Sequence, residues 1–315
     1  MGSSGRGNPG HSGGTVPAAF KNSPAYHSFP FGAGSGIKGD AIPYSKGGGK
    51  RFTLSSQTPF SGREAGGGTR DEIYGSRTYG SGYPYGVTGN YIGGRPFPFI
   101  FYPIAISPYN NYYGANEIYV LNDTQRIGGA LSSVIIQPTN ASISITANTY
   151  RLIGDNSSVT AVYNAILASS PPCGITNSSI TPFKTTVNTT APTPEQVVQY
   201  YRASSFALSL DTYNNNGSSL ANMPTNSTST SALLSDTPLP TDIDSAFLSC
   251  LNATIGESAP LVNPPHGLSG RTIAGAVVGS VVGFAVLLLL YRICCAGGSE
   301  RKEEFKMRDR TRQWP

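Results

Sequence analysis

The pattern of apolar and polar positions divides the chain into three parts. Residues 1–96 have few aliphatic side chains, the middle has short alternating and helical patterns, and Thr272–Tyr291 carries no charge. At roughly 1.5 Å per residue, an apolar run of about 20 residues crosses the roughly 30 Å hydrocarbon layer of a bilayer. The pattern therefore predicts a disordered Gly/Tyr-rich arm, a small α+β disulfide-closed domain and one C-terminal transmembrane α-helix.

Composition sets the boundaries of these parts. The chain has 38 Gly and 24 Pro, and only 12% of its 315 residues are charged, so we expect part of it not to fold. We assign residues 1–96 to a low-complexity disordered region and residues 97–252 to a glycosylated α+β domain. A Pro/Ser linker over 253–271 leads to the transmembrane helix at 272–291, and a basic cytosolic tail follows at 292–315.

Three short patterns in the middle part predict strands. Ala141–Thr146 and Phe206–Leu210 alternate between apolar and polar residues, and Val134–Ile136 is a β-branched run.

Three other patterns in the middle part predict helices. Ser158 precedes apolar residues at helical spacing, and Thr193 forms a capping-box pattern with Gln196. Asp244 precedes the helical pattern that contains Cys250.

The flanks of the apolar run predict its orientation. Seven Lys/Arg follow the run, whereas Arg271 alone closely precedes it, so we expect the N-terminus outside and the C-terminus in the cytosol. Gly275, Gly279 and Gly283 recur every fourth residue, which favours helix pairing. The alternative reading of this repeat is the general frequency of small residues in membrane helices.

Cys294 and Cys295 follow the apolar run directly. Thiols at the inner membrane boundary are frequent sites of palmitoylation.

The middle part has the sequence features of a secreted domain. Cys173 and Cys250 are its only cysteines, and an even count predicts a disulfide, with two buried free thiols as the alternative. The same part contains every N-x-S/T acceptor of the chain, about twice what its composition alone would give. These acceptors are Asn122, Asn140, Asn156, Asn177, Asn188, Asn216, Asn226 and Asn252.

The beginning of the chain permits a second topology. Met1–Arg6 has no apolar leader, so a tail-anchored protein with a cytosolic arm is the alternative to a shortened start. In that alternative the Tyr and Arg residues interspersed with Gly would bind RNA or self-associate. With the arm outside, we expect no nucleic-acid partner.

No motif of the chain predicts catalysis. Gly10–Gly14 matches G-x-S-x-G and Gly34–Gly39 matches G-x-G-x-x-G, but neither match follows a strand or opens a helix. His11, His27 and His266 lie in predicted disordered or linker sequence, which cannot hold a catalytic triad or a metal ion. We expect no enzyme, no cofactor and no metal.

Several longer motifs carry a resemblance to a protein group. They are GGGKRFTLSSQTPFSGREAGGGTRDEIYGSRTYGSGYPYG, FPFIFYP, PEQVVQYYRASSFALSLDTYNN and FLSCLNATIG. With these motifs the chain resembles uncharacterised fungal single-pass membrane proteins, mainly of basidiomycetes, over about residues 47–295. The resemblance implies an outer domain and an anchor, and no activity. Such proteins usually open with a cleaved signal peptide, which this chain lacks.

The sequence thus predicts a non-enzymatic single-pass membrane glycoprotein of the plasma membrane or secretory pathway. Its expected partners are the lipid bilayer, a second copy paired through the membrane helix, and molecules of the cell wall or surface.

Overall fold

The computed structural model describes residues 29–31, 39–84, 92, 94–104, 106, 126–168, 173–183, 192–219, 235–263 and 282–291. Residues 1–264 and residues 265–315 belong to two separate compact units, and each is described by itself. The strands of the first unit are β1 Phe29–Pro30, β2 Asp40–Ile42, β3 Phe52–Thr53, β4 Glu64–Ala65, β5 Leu131–Ile136, β6 Tyr150–Asp155, β7 Thr181–Pro182, β8 Val197–Tyr201, β9 Phe206–Leu210 and β10 Leu261–Val262. Its helices are α1 Asn156–Ala168 and α2 Ser245–Ser258.

A five-stranded antiparallel sheet forms the centre of the unit. Its strand order is β7-β5-β6-β9-β8. The chain builds this sheet from two similar halves, each a hairpin followed by a helix: β5, β6 and α1, then β8, β9 and α2. The inner strands of the two hairpins, β6 and β9, pair with each other, and the two helices pack together.

The register of the sheet places apolar side chains in rows. Val134 pairs with Leu152, and Leu152 pairs with Leu208, so the three side chains point to the same face. All three are buried. Two positions before Leu152 in β6, Tyr150 points to this same face and its ring contacts that of Phe247 of α2. This face is therefore the one covered by the helices.

The arm is folded over residues 39–84, and the expectation of disorder there is wrong. β2 pairs with β1 and β10, β3 pairs with β4, and Tyr74 bridges to Tyr201 at the free edge of β8. Ile73 and Tyr79 are fully buried. The arm has few aliphatic residues, and the buried surface of its core comes instead from tyrosine and phenylalanine side chains.

Glycine allows this arm to pack closely. A Cβ on Gly68 would lie 2.3 Å from the ring of Phe99, and a Cβ on Gly256 of α2 would lie 1.8 Å from the hydroxyl of Tyr74. A glycine-rich composition is compatible here with a dense core as well as with disorder.

The strand predictions are confirmed in part. Val134–Ile136 lies in β5, and Phe206–Leu210 is β9. Ala141–Thr146 forms turns instead of a strand. Its isoleucines are half-buried or exposed, so the alternation does not reflect one buried face.

The helix predictions are also confirmed in part. Asp244 caps α2 by accepting a hydrogen bond from the Phe247 amide at 2.7 Å. The first helix is present, but its cap is Asp155 rather than Ser158. The Gln196 side chain accepts from the Thr193 amide as the capping box predicts, yet only one 3₁₀ turn forms before β8 begins.

The prediction of a transmembrane helix over Thr272–Tyr291 is wrong. Within the residues that the structure describes, no helix combines the length and the apolar character needed to cross a membrane. Residues 282–291 form a helix with every side chain exposed. The predicted single-pass topology and membrane localisation are therefore not supported.

Candidate functional site: the disulfide, the glycan acceptors and the Arg202 cluster

The disulfide between Cys173 and Cys250 is confirmed. It joins the start of the segment that leads to β7 with the middle of α2, and the two Cα atoms are 5.6 Å apart. Cys173 is buried, and its sulfur lies 3.6 Å from the hydroxyl of Thr254. The bond closes a loop of 77 residues, which corresponds to about 4 kcal/mol of stabilisation in the chain-entropy model.

The described glycan acceptors have accessible side chains. Asn140, Asn156, Asn177 and Asn216 are exposed, and Asn252 on α2 is half-buried. The Asn252 side-chain oxygen accepts a hydrogen bond of 2.6 Å from the Tyr201 hydroxyl. A glycan on Nδ2 would leave this oxygen in place. Asn122, Asn188 and Asn226 lie outside the described residues.

The most buried charged group of the described chain is Arg202, at the β8–β9 turn. Its Nη2 donates to Asp155 Oδ1 at 2.7 Å, and the two side chains are 0% and 3% exposed. Its other nitrogens donate to Ser158 Oγ, Ser205 Oγ and the Pro260 carbonyl. We call Arg202, Asp155, Ser158 and Ser205 the Arg202 cluster.

An aromatic ring completes the surroundings of Arg202. The guanidinium carbon lies 3.5 Å from the ring centroid of Phe101, which belongs to the chain that follows the arm. Burial lowers the pKa of Arg202 to about 10, and the adjacent carboxylate of Asp155 opposes this effect. Both hydroxyls of the cluster serve as acceptors for Arg202, so the geometry is that of a structural tie and not of an activated nucleophile.

The turn that carries Arg202 has an unusual backbone. Arg202, Ala203 and Ser204 all have φ between +51° and +55°, in the left-handed region. Each such non-glycine residue costs of the order of 1–2 kcal/mol. Residues of the arm hold the turn, because the Ile73 and Gly82 carbonyls accept from the amides of Arg202 and Ala203 at 2.6 and 3.0 Å.

A second arginine ties the arm to α2. Arg70 is buried and donates twice to the Ser45 carbonyl, and its Nη1 donates to the carbonyls of Gly256 and Ala259 at 2.9 and 2.6 Å. A cation at the C-terminus of a helix is favourable, because the last carbonyls lack partners within the helix. Burial lowers the pKa of Arg70 to about 9.

Two further arginines of the arm are committed to the fold in the same way. Arg63 donates to the Ile92 carbonyl and lies 3.7 Å from the centroid of Phe97. Arg77 donates to the Thr237 carbonyl and the Tyr213 hydroxyl. These side chains bind this chain's own carbonyls and rings. They are poorly placed to bind RNA, as the tail-anchored alternative requires.

Burial also raises the pKa values of several tyrosines. It raises the pKa of Tyr102 to about 12, with smaller opposing effects from Thr58 and Arg126. It raises the pKa of Tyr44 to about 12 as well, and Glu257 contributes in the same direction. Both phenols are therefore neutral at physiological pH.

Some predicted sites cannot be placed. Gly275, Gly279, Cys294 and Cys295 lie outside the described residues, and Gly283 lies in the exposed helix of the second unit. The Arg202 cluster was not predicted from the sequence. Its only local signal is the position of Asp155 immediately before an apolar helical pattern, where an acidic cap is common.

The comparisons with known proteins find no relative. The chain matches no family model, and neither a curated protein nor a solved structure matches it. The resemblance to fungal membrane proteins therefore remains a prediction.

Proposed function

We propose that the protein is a non-enzymatic N-glycosylated protein of an oxidising compartment, which acts by binding partner molecules of the cell wall or surface. The observation that carries this proposal is the Cys173–Cys250 disulfide, because such bonds persist in secreted proteins and are rare in the cytosol. A disulfide between distant parts of the chain also fits a secreted domain, because it stabilises the fold by restricting the unfolded chain.

The acceptor asparagines support the same compartment. The exposed side chains of Asn140, Asn177 and Asn216 can carry bulky glycans without disturbing the core. In the transfer, Nδ2 forms a bond to the first sugar carbon of a polyprenyl-pyrophosphate oligosaccharide. The bond from that carbon to the pyrophosphate oxygen breaks, and the amide proton leaves to water.

A binding role fits the chemistry of the buried polar groups. Asp155, Ser158 and Ser205 all bind Arg202, and the arginines of the arm bind carbonyls. These groups hold the fold together. Activity would then reside in the surface and its glycans, as in adhesive or wall-associated proteins.

The test is the gel mobility of the protein from its native host, with and without an enzyme that removes N-linked glycans. We expect a downward shift of several kilodaltons, since each occupied acceptor adds a bulky glycan. A second lane without reductant reports the disulfide, because the closed 77-residue loop makes the unfolded chain more compact. Unchanged mobility after glycan removal would contradict the proposed glycosylation, and unchanged mobility without reductant would contradict the disulfide on which the proposal rests.

A further inference from the structure

The two edges of the five-stranded sheet differ in how they are protected. At the β8 edge, the Gly75 amide donates to the Tyr200 carbonyl and the Tyr200 amide donates to the Ser76 carbonyl, so the arm pairs with this strand. At the other edge, β7 has two residues, both exposed, and no described strand pairs with its outer side. An open edge is a template for pairing with another chain.

The open edge extends beyond β7. Residues 175–183 run beside β5 and the residues just after it. They are joined through the Ser133–Thr181 pair of β5 at one end and through the Ile175–Pro138 bridge at the other. Beneath this segment, the Tyr163 hydroxyl of α1 accepts from the Ser178 amide at 2.5 Å. We call residues 175–183 the edge segment. It contains two Ile, two Thr and one Phe, residue types that are enriched in strands.

Three glycan acceptors surround the edge segment. Asn177 lies within it, exposed, with its Oδ1 turned toward the Tyr163 hydroxyl at 3.5 Å. Asn140 follows Thr139, whose amide donates to the Gly174 carbonyl just before the segment. At the other end of the segment, Asn156 donates to the Ser132 hydroxyl, and Ser132 pairs with Pro182.

The other described acceptors lie near β8, which forms the opposite edge of the sheet. The Asn252 oxygen binds Tyr201 of β8, and Asn216 adjoins Asn215, whose amide donates to the Glu195 carbonyl just before β8. The arm already covers that edge. Asn140, Asn156 and Asn177 therefore differ from Asn216 and Asn252, because they lie beside a sheet edge that no described strand covers.

We propose that N-glycans on Asn140, Asn156 and Asn177 shield the open sheet edge and prevent strand pairing between copies of this chain. The glycans are bulky and hydrated, so they hold a second edge beyond the roughly 4.8 Å that strand pairing requires. Pro182 and the short length of β7 act in the same direction, since proline removes a donor from the edge. This proposal rests on the glycosylation stated under the proposed function.

The test uses edge variants that remove two acceptors without changing the asparagines of the edge. Ser142→Ala and Ser179→Ala abolish the acceptors at Asn140 and Asn177, and both serines are exposed. The matched control is Asn216→Gln with Thr228→Ala, which removes an acceptor on the opposite side and one outside the described residues. Both doubles lose two acceptors. Proteins from a glycosylating host are compared by light scattering and size-exclusion chromatography at equal concentration.

We expect the S142A/S179A double to form about threefold more aggregate than the parent or the control double, with an unchanged melting temperature. Adding Thr181→Lys to the edge double should restore the dispersed state, because a charge on an edge strand opposes pairing. Ala253→Lys on the exposed side of α2 adds the same charge elsewhere and should not restore it.

Three outcomes would overturn the shield. These are equal dispersion of the edge double and its parent, equal aggregation of both doubles, and equal rescue by the two lysines. If the parent itself shows no glycosidase-sensitive mass, the proposed function fails together with the shield. If the parent is glycosylated and the edge double stays dispersed, only the shield fails.

Discussion

The carboxylate of Asp155 and the guanidinium of Arg202 form an ion pair of 2.7 Å that is almost fully buried. Asp155 ends β6 and caps α1 through the Ser158 amide, and Arg202 also binds the carbonyl of Pro260 beyond α2. The pair therefore joins both halves of the sheet to both helices.

Asp155→Asn should lower the free energy of unfolding by about 3–5 kcal/mol, because it leaves a buried guanidinium without its counter-charge. The control is Asp211→Asn. Asp211 pairs with Arg151 at 2.8 Å, but these side chains are 30% and 25% exposed, so the loss should be about 1 kcal/mol or less. Urea unfolding measures both, and equal losses would contradict the role assigned to Asp155.

Gly128 leaves room for the same carboxylate. Its φ is +85°, and a Cβ there would lie 2.1 Å from Asp155 Oδ2. Neighbouring Gly129 has φ +89° but only an ordinary contact of 3.5 Å. Gly128→Ala should therefore cost about 1–3 kcal/mol more than Gly129→Ala, since backbone strain is common to both and the clash is not. Equal melting temperatures for the two variants would show that the close approach is unimportant.

The anchoring role of Arg70 predicts sensitivity to a conservative change. Arg70→Lys keeps the charge but loses the planar fork that reaches Ser45 on one side and α2 on the other, so it should cost about 2–3 kcal/mol. Arg51→Lys, at an exposed position of the same arm, should cost less than about 0.5 kcal/mol. If Arg70→Lys is as mild as Arg51→Lys, the arm is held by other contacts.

Removal of the disulfide should destabilise the first unit without changing its fold. The Cys173→Ser, Cys250→Ser double should lose about 4 kcal/mol, through the added freedom of the unfolded 77-residue loop. Chemical unfolding of the reduced parent provides the comparison. A loss below about 1 kcal/mol in both would mean that the bond adds little to the rest of the core.

Tyr102 predicts a specific dependence on alkaline pH. The folded pKa of about 12 exceeds the ordinary value of 10.0, so the folded chain keeps a proton that the unfolded chain loses. This contribution is fully present below pH 10 and is lost as the pH rises to about 12, at about 1.4 kcal/mol per pH unit. Tyr102→Phe removes it, so the variant should lose less stability than the parent between about pH 9 and about pH 11.5. If the free energy of unfolding falls equally with pH in the parent and in Tyr102→Phe, the raised pKa of Tyr102 is contradicted.

The sequence predicted those parts of the fold whose signals are local. The cap at Asp244, the β-branched strand at Val134–Ile136 and the disulfide each rest on neighbouring residues or on a count of cysteines. β6 was missed because Tyr150–Asp155 has no alternation. Five of its six residues are buried, since the helices cover one face and further chain covers the other.

The arm and the apolar run were misjudged for different reasons. Residues 39–84 are stabilised by long-range pairs such as Arg70 with Gly256, which no local composition reveals. The hydropathy of Thr272–Tyr291 matches a membrane span, yet no described helix has the length and hydropathy that a membrane crossing requires. The sequence predicted the acceptor asparagines one by one. Their grouping around the edge segment follows from strand order, which depends on pairings between distant residues.

Peptide mapping of the native-host protein, digested without reduction and analysed by mass spectrometry, is the decisive experiment for an oxidising, glycosylating compartment. We expect a cross-linked peptide pair containing Cys173 and Cys250, with glycan mass on Asn177, which lies four residues beyond Cys173. Free thiols at both cysteines together with an unmodified Asn177 would contradict an oxidising, glycosylating compartment.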